Sequence, residues 1–390
     1  MSNNLKIFFA ILIAGVLFLS SPLLIAAPAQ AGSDRLAEAI AKTPQGTGKG
    51  EIDPKAKPGF LGIPGAPSPN LIIGFLWAIW VGWIFSTVGA FGGIMAGVGH
   101  ITVFGLANYG KGFKQTSPML NKLITDSIRV SNQWLVGLSA AISSLNYYKA
   151  GRLVLPLGIA LAIGAVGGSI GVPILSAGKI SLKAYIGYFG LCVFAVATVL
   201  IYETLPAGMA KRKAATQAAK AFQQSVKEKK AAGETEALGV KITKISLGKV
   251  VFTFYGVEFS FRPIIPVIGG FFIASIASFI GVGGGFLFVP FLTSVAGLPM
   301  FIVAGTSALT VLVGMIVSIF TYMFATGTVV YWPLIGAELL GIFVGSMIGP
   351  RTSKYIPEVW LKRLFIVLAV YVGLRYASVG FLGYSIVPPY

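Results

Sequence analysis

Two glycine clusters break otherwise apolar stretches: Gly89-Ala90-Phe91-Gly92-Gly93 and Gly281-Val282-Gly283-Gly284-Gly285. Unwound backbone at membrane depth leaves N–H and C=O groups unpaired, at a cost on the order of several kcal/mol each unless protein, water or a ligand satisfies them. A half-helix starting just after each break, near Ile94 and Phe286, would present a partial charge of about +0.5 at its amino end. Such an end takes an anion without help from an arginine. The competing role for the same glycines is close helix packing. The candidate substrate-binding residues in these clusters are Gly89, Phe91, Gly92 and Gly93, and Gly281, Gly283, Gly284 and Gly285.

Neutral donors accompany each cluster further along the chain. Ser131 and Asn132 follow the first, and Thr306 and Ser307 follow the second, beside Gly305. Hydroxyl and amide groups suit an anion that must shed its water. They also serve as helix caps or bond back to the preceding turn. Glu338 is an acid well inside an apolar span, in Ile335-Gly336-Ala337-Glu338-Leu339-Leu340. An intramembrane carboxylate is by default a functional group. It can carry a proton coupled to substrate, or pair with a neighbouring donor. His100, the one histidine, reads as a hydrogen-bonded packing residue, with a proton relay as the other role.

Those residues need apolar elements to hold them, and the composition supplies such elements. The 390 residues are 55% hydrophobic and 11% charged, against about 25% charged in a soluble domain. Water cannot solvate such a body, so an integral membrane protein is expected. The net charge of +18 raises nucleic acid as a partner, but the basic residues concentrate in loops, where such charges set membrane topology. The expected partners are therefore a small anionic substrate and the lipid bilayer, with no nucleic acid; a homo-oligomer stays open. One cysteine, Cys192, excludes an internal disulfide and a cysteine-based metal cluster. Neither a metal nor any other cofactor is expected. There is no phosphate-binding loop ending in Gly-Lys-Ser/Thr and no catalytic set, so the chain does not read as an enzyme.

Apolar segments cover 70–106, 123–148, 152–174, 181–203, 262–299, 301–325, 329–350 and 360–378. Most run about 20–25 residues, enough to cross about 30 Å of hydrocarbon as a helix. Residues 1–31 read as a signal peptide ending at Ala29-Gln30-Ala31, or as an uncleaved N-terminal span. Residues 32–69 read as an external leader with little structure, broken by Pro54, Pro58, Pro64, Pro67 and Pro69. Residues 205–261 form a lysine-rich cytoplasmic loop. Its stretch 241–261 alternates apolar and polar residues, as a small β-hairpin on the membrane surface would. Residues 380–390 are a short C-terminal tail.

The chain repeats itself. Ser131, followed by a helix ending at Gly151, corresponds to Ser307 and Gly327. Gly168-Ser169-Ile170 and Pro173 correspond to Gly345-Ser346-Met347 and Pro350. Lysines put 204–250 inside, and Arg351, Lys354, Lys362 and Arg363 put 351–363 inside. The two single spans between these loops use two crossings, so 262–299 must enter and return on one side. Counting backwards puts 149–152 inside and 107–122 outside, although Lys111, Lys114 and Lys122 lie there. The expected fold is an all-α polytopic membrane protein with two inverted repeats, 70–204 and 262–379. Each is a glycine-broken helical hairpin plus three transmembrane helices.

The run from Gly281 to Pro290, Gly-Val-Gly-Gly-Gly-Phe-Leu-Phe-Val-Pro, resembles the signature of the TauE/SafE sulfite exporter and anion permease family. So does the stretch from Gly305-Thr306-Ser307 through Gly327 to Gly345 and Arg351. The resemblance covers approximately residues 70–378. In the first half Phe91 stands where the family pattern has glycine, and the Val-Pro ending is absent. Residues 1–69 and 204–261 fall outside the family core. The resemblance implies transport of small sulfur-containing or other organic anions, such as sulfite, sulfoacetate or sulfonates. The expectation is a multi-pass inner-membrane secondary transporter working by alternating access. An anion channel of the same build and a non-transport membrane assembly protein are the alternatives.

Overall fold

The computed structural model describes residues 22–88, 92–176, 186–232, 239–280, 285–325 and 327–388. It is predominantly helical. In chain order the helices are α1 (Pro22–Lys42), α2 (Leu71–Val88), α3 (Gly92–Val98), α4 (Leu106–Gly112), α5 (Pro118–Lys149), α6 (Leu155–Ser176) and α7 (Ile186–Thr204). After them come α8 (Pro206–Lys211), α9 (Lys213–Ala232), α10 (Ile264–Ile280), α11 (Gly285–Pro290), α12 (Met300–Phe320), α13 (Trp332–Ser353) and α14 (Glu358–Phe381). Helices α3, α11 and α12 each run on into a π-helical turn, at Gly99–Val103, Phe291–Val295 and Thr321–Ala325. Among the described residues four helical stretches are long and apolar enough to cross a membrane: Leu71–Val88, Met300–Phe324, Trp332–Ser353 and Glu358–Phe381. Shorter apolar helices cover Leu155–Ile170, Val193–Thr204 and Ile264–Ile276.

The expected repeat has counterparts among the described elements: adding 192 to the π-turn Gly99–Val103 gives Phe291–Val295. The same shift relates Gly105 to Gly297, each with φ near +65° (65° and 66°) where the π-turn closes. Adding 176 relates Gly151 to Gly327, which end their helices with φ 64° and 61°. This left-handed cap suits glycine because no Cβ clashes. Adding 177 maps the whole of α6, Leu155–Ser176, onto α13, Trp332–Ser353.

The chain divides into two compact units. One comprises 1–74, 97–134 and 315–337, the other 75–96, 135–314 and 338–390. In the first, the leader is not the unstructured segment expected from its prolines. Leu36 and Ala39 of α1 share an apolar core with Ile52, Phe60, Ile63 and Ala66. Phe104, Leu106, Phe113, Leu120, Ile124 and Leu334 complete that core. The prolines do exclude α-helix from 43–69, but apolar residues spaced between them fold the loop onto its neighbours. Thr116 ties it down by donating to Gly50 O at 2.7 Å.

In the second unit two helix pairs pack in the same way. A methyl group on Gly164 or Gly168 of α6 would fall on the carbonyl oxygens of Val267 or Phe271 of α10. A methyl group on Gly341 or Gly345 of α13 would likewise fall on those of Phe75 or Ile79 of α2. The shifts of 177 and 192 interchange these two sets. Each half thus lends its hairpin helix to the other half's single helix. Close glycine-mediated approach replaces the hydrophobic drive that lipid removes.

The stretch 241–261 is a three-stranded antiparallel sheet rather than a hairpin. Its strands, in spatial order, are β1 (Val240–Ile245), β2 (Val250–Phe254) and β3 (Val257–Phe261). Tyr255 (φ 49°) and Gly256 (φ 78°) make a tight two-residue turn between β2 and β3. The central strand, β2, is the most buried, with Val250, Val251, Phe252 and Phe254 covered.

Candidate functional site

The breaks expected at the two glycine clusters lie at 89–91 and 281–284, outside the described residues. Helix α2 ends at Val88 and α3 resumes at Gly92; α10 ends at Ile280 and α11 resumes at Gly285. Gly89 and Phe91, and Gly281, Gly283 and Gly284, lie outside the described residues. Gly92 and Gly93 are buried at the amino end of α3. A methyl group on Gly92 would fall on the Cβ of Phe85, so glycine is what lets the returning chain pass that ring. Gly285 is the first residue of α11.

The sequence-selected donors divide into two kinds. Ser131 Oγ donates to Ser127 O at 2.7 Å, inside its own helix. Thr306 Oγ1 donates to Ile302 O at 2.7 Å and accepts Val154 N–H at 3.1 Å, which holds the start of α6. Ser307 Oγ reaches Ala304 O at 3.2 Å. The single protons of Ser131 and Thr306 are therefore committed to backbone in this state. Asn132 differs. Its Oδ1 lies 2.5 Å from Nδ1 of the buried His100. An amide oxygen only accepts, so Nδ1 carries the proton. A methyl group on Gly97 would stand 3.4 Å from Asn132 Nδ2, so the amide nitrogen is directed at α3. The pair thus joins α5 to the hairpin's second arm.

His100 is thus a buried, hydrogen-bonded residue, the packing role that the sequence favoured for it. Arg129, one turn before Asn132, donates to Asp126 at 2.9 Å and to Tyr322 Oη at 2.8 Å. Glu338 is buried in α13, 1% exposed, three residues before Gly341 and so on the helix face that meets α2.

Two buried charge clusters in the second unit had no place in the sequence reading. Glu203, at the end of α7, accepts from Arg212 at 2.8 Å, Lys362 at 3.1 Å and Ser294 Oγ at 2.7 Å. Arg212 also donates to Thr293 O and Leu298 O, at 2.7 and 2.8 Å. Glu358 lies 3.7 Å from Lys362 and accepts Met300 N–H at 3.2 Å. Two acids and two bases therefore tie together the ends of α7, the second hairpin, α12 and α14. Arg152 is 3% exposed and donates to Phe301 O, Pro350 O and Ser353 Oγ. Its guanidinium also lies over the rings of Tyr147, Phe222 and Phe301. In the first unit a cavity of about 400 Å³ opens between the 46–53 loop and α4. Tyr109 lines it, and burial pushes that phenol up to about 12.

Comparison with known proteins returned one family. Residues 74–376 match the model described as sulfite exporter TauE/SafE. No curated protein and no solved structure matches.

Proposed function

We propose that this chain, which belongs to the sulfite exporter TauE/SafE family, is a secondary transporter that moves small anions across the inner membrane by alternating access. The family is one of multi-pass membrane transporters rather than enzymes. The finer reading is supported by two short apolar helices, α3 and α11, that follow the glycine clusters and each run into a π-turn, the turns being related by a shift of 192. Their short second arms, α3 and α11, start at the breaks and would turn their N–H groups toward an anion. Sulfite is the substrate that the family description names, and organosulfonates share its anionic sulfur–oxygen chemistry.

Inverted halves are part of the proposal. The charge pattern of the sequence assigns 149–152, 204–250 and 351–363 to the inside. Those are the junctions gathered around Arg152 and Glu203, together with both ends of the second hairpin's neighbourhood, Thr293 to Phe301. Counting spans back from these loops puts the leader and 107–122 outside, against Lys111, Lys114 and Lys122, and the two segments share the core built on Phe60, Phe104 and Phe113. Each half has an odd number of single spans, which supports a two-fold axis lying in the membrane. Glu338 is the proposed proton carrier, since it is a buried acid on a helix that packs against the first hairpin.

The test is flux of labelled sulfite, sulfonates and carboxylates into proteoliposomes, with and without a pH gradient. Saturable uptake of a sulfur oxyanion is expected, abolished by Gly284→Leu or Gly285→Leu with expression largely retained. Glu338→Gln should remove the response to the gradient. Normal flux in the glycine variants would overturn the site. Unsaturable ion currents would make the protein a channel of the same build.

A further inference from the structure

The β1 edge and the turn after it form a surface without a protein partner among the described residues, and its chemistry is distinctive. Leu247, at the tip between β1 and β2, is 99% exposed, and Ile245 is 69% exposed. Ile242 is exposed beside them. Lys241, Lys244 and Lys249 alternate with these side chains, and every residue from 241 to 249 is exposed. We propose that this edge and tip dock on the anionic headgroups of the membrane in which the protein sits, with Leu247 and Ile245 entering the interface and the three lysines meeting lipid phosphates.

The sheet is held where it can do so. Val240 N–H, at the start of β1, bonds Gly151 O at 2.7 Å, at the junction between α5 and α6. At the other end β3 stops at Phe261, three residues before the apolar helix α10 begins at Ile264. Both ends of the sheet are thus fixed at the ends of membrane helices. A strand of six residues spans only about 20 Å, so the tip stays near the bilayer. Inserting an apolar side chain removes it from water, while basic residues are drawn to an anionic leaflet within about a Debye length of 8 Å. Lysine stems can lie along the apolar surface with their ammonium groups at the phosphates.

Lysines on an edge strand also discourage pairing with another strand. That role accounts for Lys241 and Lys244. It gives no reason for a fully exposed leucine at the tip, flanked by an isoleucine and a further lysine.

The experiment uses the full chain in nanodiscs, with the single cysteine Cys192 replaced by alanine and an environment-sensitive nitrobenzoxadiazole label on Leu247→Cys or Ile245→Cys. In discs rich in phosphatidylglycerol the label should emit at shorter wavelength and be quenched several-fold by nitroxide lipid. Both effects should fall away in pure phosphatidylcholine, at high salt, and when Lys241, Lys244 and Lys249 are changed to glutamine. Because all these positions are exposed, folding should be retained, as read by an unchanged elution profile. Water-like emission in anionic discs would overturn the proposal. So would a shift equally strong in neutral lipid, or one seen only when two copies share a disc, which would assign the edge to self-association.

Discussion

Thr306 and Asn132 carried equal weight in the sequence, and their surroundings separate them. The Thr306 hydroxyl holds Val154 N–H at the start of α6. Thr306→Val is therefore expected to cost about 1–3 kcal/mol, the penalty for a buried donor left without its acceptor. Flux per folded molecule should be retained. Asn132→Leu likewise leaves the buried His100 Nδ1–H without its acceptor and should cost about 1–3 kcal/mol, but it should also lower flux per folded molecule at least tenfold, because it removes the partner that fixes His100. Melting and proteoliposome uptake measured on both variants check this; equal flux would remove the distinction. Glu203→Gln leaves Arg212 and Lys362 buried without their shared carboxylate. A loss of about 3–5 kcal/mol is expected, read as a lower melting temperature. An unchanged melting curve would show that the cluster contributes nothing net.

At the level of elements, paired glycines set how closely helices approach. Gly168 faces Phe271 O of α10, and Gly345 faces Ile79 O of α2. The two positions occupy equivalent places in the repeat, so Gly168→Ala and Gly345→Ala are expected to destabilise alike, by about 1–3 kcal/mol each, as in overpacked cores. Parallel thermal scans of the two purified variants provide the check. A large effect at one position and none at the other would show that the two contacts are not equivalent. The hairpins differ in another respect. The second is fastened at its return end by Arg212 through Thr293 O and Leu298 O. The positions 192 earlier are Ile101 and Leu106, and the sequence offers no comparable buried arginine there.

For the molecule as a whole, orientation follows from charge. In a Cys192→Ala background, a cysteine at Thr47 in the leader should react with an impermeant maleimide from outside, and one at Ser246 in the basic insert only after the membrane is opened. Labelling of both from one side would remove the inverted arrangement from the proposal.

Much of this was legible because membranes leave few choices. Apolar runs gave most of the helices. The repeat was visible in Gly151 and Gly327, since a left-handed helix end strongly favours glycine. The sheet was misjudged by one strand, because alternation marks extended segments but not how many of them pair. The leader was misjudged because prolines forbid helix without forbidding a packed loop.

What the sequence determined by itself was the membrane class, carried by composition, and the family, carried by the resemblance of the run from Gly281 to Pro290. What only the tertiary structure decided was which side chains meet. Asn132 lies 32 residues from His100, Lys362 lies 159 from Glu203, and Phe75 lies far from Gly341. Such pairings arise from helices converging in space. Local periodicity fixes which face a helix buries, but not which neighbour that face will find.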